Sequence, residues 1–299
     1  MRVVVAGGTG FIGTRLSARL IADGHEVIVL TRNAQKSRDH IHPRVRVASW
    51  AEGASWEGLV DGAGAIVNLA GESIAQRWTA KSKAKILDSR LTAVQRLHDA
   101  VSHAELKPAV LVNASAVGYY GPHGDEELTE ESRPGADFLA ETCLKWEQAA
   151  RTLEELGLRV VRVRIGLVLG EEGGALAKML PPFRLGAGGP LGSGQQWMSW
   201  IHVDDLVDLI LWAIKTPTVT GVVNATAPHP VQMKEFATTL GKVLHRPAFA
   251  PVPRIALKLL LGEMATMVLE GQRVLPKKTE ALGFRFKHPL LEEALTDTL

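Results

Sequence analysis

The sequence predicts an α/β fold: a doubly wound parallel sheet with a smaller, mainly helical C-terminal lobe. Three observations lead there. Short apolar β-branched runs alternate with helix-length segments through the first two-thirds of the chain, which is the rhythm of βαβ units. A glycine-rich turn separates the first such run from the first helical segment. Beyond residue 228 the pattern changes to helical stretches joined at Pro247, Pro251 and Pro253.

The elements follow in order. Residues 3–6, Val-Val-Val-Ala, read as a buried parallel strand, because both faces of such a strand are covered. Residues 11–22 carry helical apolar spacing, and Gly24 ends the helix. Strands are expected at 26–30, 45–48 and 65–70, then a long helix at 79–102 with Lys and Arg on one face. A strand at 109–114, a helix at 137–156 and a strand at 159–168 follow. Residues 171–194 are rich in Gly and Pro and read as a loop over a site. A helix at 204–215 and a strand at 222–225 complete the alternation, and helices are expected at 233–244 and 255–269. The domain reading is therefore a Rossmann domain at 1–168 and 201–228, and a substrate-side lobe at 169–200 and 229–299.

Composition narrows the class. With 299 residues the chain can hold one large domain or two unequal lobes. A hydrophobic content of 46%, a charged content of 22% and a net charge of +2 are ordinary for a globular protein and give no nucleic-acid footprint. Cys143 is the only cysteine, so no internal disulfide forms, and a reducing cytoplasm is expected. No signal peptide is expected at the N-terminus. The most apolar late stretch, 255–269, is too short for a bilayer and is interrupted by Lys258 and Glu263, so no membrane span is expected.

Gly7, Gly10 and Gly13 have the G-x-x-G-x-x-G spacing of a dinucleotide-binding turn. The first allows the turn, the second lets backbone approach a pyrophosphate, and the third lets the helix pack close to the sheet. The helix N-terminus, with Thr9, Phe11 and Ile12 around it, adds backbone N–H donors and a partial positive charge. The second strand ends Thr31-Arg32-Asn33, with no carboxylate at its tip. A cation there suits a 2′-phosphate, so NADP(H) is favoured over NAD(H).

Further motifs run in order: Asn68-Leu69-Ala70-Gly71-Glu72-Ser73-Ile74, Arg77-Trp78, Lys85, Ser89-Arg90 and Ser115-Ala116-Val117-Gly118-Tyr119-Tyr120-Gly121. Trp146-Glu147, residues 166–170, 182–186, the run Trp200-Ile201-His202-Val203-Asp204-Asp205 and residues 269–274 continue them. Together they resemble the extended short-chain dehydrogenase/reductase superfamily. The nearer likeness is to an atypical epimerase-like branch of the NAD-dependent epimerase/dehydratase family, with a C-terminal domain of unknown function. The resemblance implies NADP(H) contacts at Thr31, Arg32, Leu69, Ala70, Lys85, Arg90 and Val168. It also implies a catalytic Ser, here Ser115, and a Tyr-x-x-x-Lys pair on the following helix.

That pair is missing. Phe138 and Thr142 occupy its positions in one alignment, Leu139 and Cys143 in the other, and neither set offers a phenol or an amine. Tyr119 or Tyr120, the only tyrosines, and Glu72, expected near the nicotinamide, are the substitute acids or bases. Packing is the competing role for the tyrosines. Asp204 or Asp205 is expected to cap the helix that follows, His202 to hold the adjoining loop, and no metal site is nominated. Trp197, Met198 and Trp200 either floor a pocket or pack in the core. Two functions follow: an NADP(H)-dependent epimerase/dehydratase-like oxidoreductase acting on a small molecule, or a non-catalytic NADP(H)-binding sensor. A homo-oligomer is left open.

Overall fold

The computed structural model describes residues 1–38, 41–51 and 56–299. In chain order its N-terminal elements are β1 (Arg2–Ala6), α1 (Phe11–Ala22), β2 (Glu26–Thr31), α2 (Ala34–Ser37), β3 (Arg46–Ser49), β4 (Ala65–Asn68), α3 (Ala80–His103) and β5 (Val110–Ala116). Then come β6 (Glu127–Leu128), α4 (Phe138–Arg151), β7 (Arg159–Ile165), β8 (Leu167–Leu169), α5 (Gly174–Arg184), β9 (Trp197–Met198), β10 (Trp200–His202), α6 (Val203–Lys215) and β11 (Gly221–Ala225). The chain ends with β12 (Val231–Gln232), α7 (Met233–Val243), α8 (Arg254–Leu261), α9 (Thr266–Leu269), β13 (Arg273–Val274), α10 (Lys277–Ala281) and α11 (Leu291–Thr298).

Seven of these strands form one sheet in the order β11-β7-β5-β4-β1-β2-β3, every neighbouring pair parallel. The order reverses between β1 and β4, and ligands of such sheets bind at that switch point, beyond the carboxyl ends of the strands. Side-chain alternation divides the sheet's two faces. Val3, Val5, Val27, Val29, Val67 and Val112 pack with Leu16, Leu20, Leu206 and Ile210 of α1 and α6. Val4, Ile28, Leu30, Ile66 and Leu111 pack with Val94 and Leu97 of α3 and Trp146 of α4. The near-continuous apolar runs in the strands thus reflect burial on both faces.

A third cluster lies outside this sandwich. Leu176, Leu180 and Phe183 of α5 pack with Trp200, Phe236, Leu240, Leu291 and Leu295. The structure therefore corrects the expectation of a loop at 171–194. Pro181 and Pro182 lie within α5, and their missing N–H groups disguise it. The i, i+4, i+7 apolar face of Leu176, Leu180 and Phe183 holds the helix in place nonetheless.

Other boundaries shift for local reasons. The strand expected at 159–168 breaks at Gly166, where a Cβ would stand 2.4 Å from the Ser199 carbonyl oxygen. Beyond it β8 leaves the main sheet to pair with β10. The helix expected at 255–269 is three pieces, because Gly262 turns the chain at φ +63° between α8 and a 3-10 turn that leads into α9. The helix expected at 137–156 is α4 followed by a 3-10 turn over Thr152–Leu156. His202, not Asp204 or Asp205, caps α6: its Nδ1 accepts the Asp204 N–H at 3.2 Å. Asp205 instead accepts the backbone N–H groups of Lys287 and His288, at 2.8 and 3.0 Å, and so ties the C-terminal segment to α6.

Candidate functional site

The turn after β1 is shaped by close approaches. Gly7 has φ +74°, and a Cβ there would lie 2.8 Å from the backbone of Leu69 and Ala70. Gly13 would place its Cβ 2.5 Å from the Gly8 Cα. Both glycines are demanded by packing alone. Gly10 is different. Its φ of −81° suits any residue, and an added Cβ would meet only the Gly7 oxygen at 3.5 Å. Nothing among the described residues needs a glycine there; a ligand approaching the backbone would. Gly10 is also the N-cap of α1 and supplies no side-chain cap, so the first N–H groups of α1, including those of Phe11 and Ile12, could hold an anion. Residues 7–13 thus fit a dinucleotide pyrophosphate. The Phe11 ring lies against the turn of Gly170 and Gly173, which joins the phosphate turn to the segment entering α5.

The remaining expected contacts lie as follows. Thr9 is exposed beside it, and Thr31 is buried at the end of β2. The Leu69 N–H bonds to the Ala6 carbonyl at 2.9 Å, which holds Leu69 and Ala70 at the switch point. Arg32 is 81% exposed and its Nη1 lies 3.4 Å from Glu72 Oε2. Arg90 is half-buried over the Trp146 ring at 5.0 Å, and burial lowers its pKa. Its Nη1 donates to the carbonyls of Glu72 (3.1 Å) and Ile86 (2.8 Å). Lys85 is exposed on α3. Val168 is half-buried in β8, opposite Ile201.

Ser115 lies at the end of β5 in register with Arg164 on β7, and Arg164 with Asn224 on β11. The Ser115 hydroxyl donates to Glu147 Oε1 at 2.7 Å. Glu147 also accepts from Arg164 Nε at 2.8 Å and Nη2 at 2.9 Å, a two-pronged pair with side chains 4% and 3% exposed. Arg164 Nη1 donates to the Tyr120 hydroxyl, which donates to Asn224 Oδ1 at 2.7 Å. Burial pushes the Tyr120 pKa up to about 12, too high for proton exchange near neutrality. Tyr119 is buried, its ring 3.3 Å from the Arg164 guanidinium carbon.

Three candidates are thereby given definite partners. The Ser115 proton is committed to Glu147, so the hydroxyl is set to accept a hydrogen bond rather than to polarise a carbonyl by donating one. Tyr120 is a link in a buried chain. Glu72 pairs with Arg32 at 3.4 Å. The residues at the missing Tyr and Lys positions offer no substitute. Phe138 packs edge-on against Trp78 at 5.2 Å with Lys83 over its ring, and Lys83 pairs with Glu263 of the C-terminal segment. Leu139 packs against Gly118, Thr142 donates back to the Phe138 carbonyl, and burial raises the Cys143 thiol to about 11. Trp200 is core, while Trp197 donates to Asp125.

The structure also brings His202, His288 and Asp297 together, a triad that sequence spacing does not nominate. The His202 and His288 rings lie 4.1 Å apart, and His202 Nε2 stands 3.4 Å from Asp297 Oδ2. Because Nδ1 of His202 accepts the Asp204 N–H, the neutral ring carries its proton on Nε2, aimed at Asp297. A metal at Nε2 would need the proton on Nδ1 and would break the cap. The triad is a clasp between α6 and the C-terminal segment.

The bond from Ser115 to Glu147, and from there to Arg164, is what local reading misses. One signal exists: Arg162 and Arg164 share a face of β7 with Val160, and a buried arginine in an interior strand requires a partner.

A glycine turn at the switch point of a 3-2-1-4-5 parallel sheet, with a serine at the end of β5, defines a dinucleotide-binding fold of the short-chain dehydrogenase/reductase kind. The NAD dependent epimerase/dehydratase family profile matches residues 3–225, and that of a domain of unknown function (DUF1731) matches residues 252–298. The chain belongs to the NAD dependent epimerase/dehydratase family. It is 50% identical to the Arabidopsis thaliana epimerase family protein SDR39U1 homolog, chloroplastic, over 99% of this chain and 86% of that protein. It is 41% identical to the epimerase family protein YfhF of Bacillus subtilis, over 100% and 98%. The crystal structure of human epimerase family protein SDR39U1 (isoform 2) with NADPH superposes with a TM-score of 0.89 at 40% identity, covering 100% of this chain and 99% of that one. No helix among the described residues is long and apolar enough to cross a membrane.

Proposed function

We propose that the protein is an NADP(H)-dependent, epimerase/dehydratase-like oxidoreductase acting on a small molecule. The carrying observation is Gly10: a helix N-terminus with no side-chain cap, where nothing among the described residues requires a glycine. The NADPH named for the human relative supports the same reading. Gly7, Thr9, Gly10, Phe11, Ile12 and Gly13 would hold the pyrophosphate. Thr31 and Arg32 would take the 2′-phosphate end, with Leu69, Ala70, Lys85, Arg90 and Val168 along the rest. When bound, the dinucleotide supplies hydride transfer. Ser115, its proton held by Glu147, would accept a hydrogen bond from a substrate hydroxyl and so orient it. Tyr119 is the phenol left for proton exchange once Tyr120 is tied to Arg164 and Asn224.

The division into a Rossmann domain (1–168, 201–228) and a substrate-side lobe (169–200, 229–299) belongs to this proposal. The separate apolar cluster around α5, α7 and α11 supports it. A reducing cytoplasmic setting, which suits a chain whose one cysteine is buried, belongs to the proposal as well. Calorimetric binding of NADPH, NADP⁺, NADH and NAD⁺ tests the cofactor reading. Tight NADPH and weak NADH are expected, and no binding of any dinucleotide would end it.

The Ser115–Glu147 bond favours one other reading, a non-catalytic NADP(H) sensor. That reading requires different affinities for NADPH and NADP⁺ without turnover, since a ligand shifts an equilibrium only through differential binding.

A further inference from the structure

The position of Glu72 is built. Its N–H donates to Ser89 Oγ at 2.9 Å, and its carbonyl accepts from Arg90 Nη1 at 3.1 Å. Both partners belong to α3, and Arg90 is itself fixed by the Ile86 carbonyl and the Trp146 ring. None of these bonds completes a helix or a strand. Their effect is to aim one carboxylate across the switch point, from the end of β4 to the tip of β2. There Glu72 Oε2 meets Arg32 Nη1 at 3.4 Å. The guanidinium is 81% exposed and the Glu72 side chain 32%.

Arg32 is the cation proposed to hold the 2′-phosphate. A phosphate monoester and a carboxylate use the guanidinium in the same way, through paired N–H donors on one edge. We propose that Glu72 is a specificity-determining residue: an internal carboxylate that competes with the 2′-phosphate for Arg32 and narrows the preference for NADP(H) over NAD(H). This inference rests on the NADP(H) reading above. A dinucleotide without the 2′-phosphate makes no demand on Arg32, so Glu72 leaves its affinity unchanged. The competition is an exposed ion pair's worth, about two- to fivefold in affinity, and salt screens it.

The test is a double-mutant cycle read by calorimetry, with NADPH and NADH titrated into wild type, Glu72→Gln, Arg32→Ala and the double variant. Glu72→Gln should tighten NADPH about two- to fivefold and leave NADH unchanged. The gain should vanish in the Arg32→Ala background and shrink at high salt. Glu72→Ala should reproduce it. Unchanged or weaker NADPH binding in Glu72→Gln overturns the inference. So does an equal gain for NADH, or a gain that persists without Arg32. A wild type that binds NADPH no better than NADH instead removes the NADP(H) reading, and this inference with it.

Discussion

The hydroxyl of Ser115 donates to the buried carboxylate of Glu147 at 2.7 Å, and that carboxylate is held by both prongs of Arg164. The site serine is therefore one end of a charged network in the core. Removing different members should have unequal costs. Glu147→Gln leaves Arg164 buried without a counter-charge and should destabilise by about 3–5 kcal/mol. Ser115→Ala removes one hydrogen bond and leaves Glu147 satisfied, at a cost of about 1 kcal/mol. Denaturant unfolding of the two variants measures the difference. Equal losses would mean that the ion pair is not the centre of the network.

Tyr120→Phe should behave as a structural change. It strips the hydroxyl between Arg164 and Asn224 and should cost about 1–3 kcal/mol while leaving dinucleotide affinity intact. Unfolding and calorimetry on one preparation check both. Unchanged stability with lost turnover would make Tyr120 a reacting group.

The glycines of the first turn should separate stability from binding. Gly7→Ala forces a side chain into φ +74° and onto the Leu69–Ala70 backbone, so it should lower the melting temperature sharply. Gly10→Ala has room and an ordinary φ, and stability should move by less than about 1 kcal/mol. Dinucleotide affinity should nevertheless fall at least about tenfold, or ~1.4 kcal/mol. Full binding by Gly10→Ala would show that the open space is not a phosphate cradle.

Acid should loosen the clasp at α6. Burial lowers the His202 pKa below 6.5, His288 lowers it further, and Asp204, Asp297 and Asp205 oppose them. The folded state thus resists a proton that the unfolded chain accepts. Stability from this group is complete above pH 6.5 and is lost as pH falls from there through the lowered folded value. His202→Asn keeps a capping acceptor without a titrating ring. Its unfolding free energy, followed from pH 7 to pH 5, should fall less steeply than that of the wild type. Parallel profiles would place the titration elsewhere.

Much of the fold is legible locally. The runs at 3–6, 27–30 and 109–112 are apolar on both faces, as a strand buried in a parallel sheet requires. The glycine spacing and Arg32 mark one end of the candidate dinucleotide site for the same reason, since turn geometry and charge at a strand tip are short-range properties. The helix α5 was hidden because Pro181 and Pro182 read as breakers, and its support is the distant Phe236 and Leu291. The short strand pairs β6–β13, β8–β10 and β9–β12 join segments remote in sequence and leave no period to detect.

By itself, then, the sequence determined the alternation of elements, the sheet class, the glycine turn and the absence of a Tyr-x-x-x-Lys pair. Tertiary structure alone decided that Ser115 gives its proton to Glu147, that Glu72 faces Arg32, and that His202, His288 and Asp297 converge. The physical reason is range. Strands, caps and turns follow from neighbours a few residues apart. Hydrogen-bond partners of buried charges are chosen by which strands lie side by side, and register across β5, β7 and β11 is a property of the folded sheet.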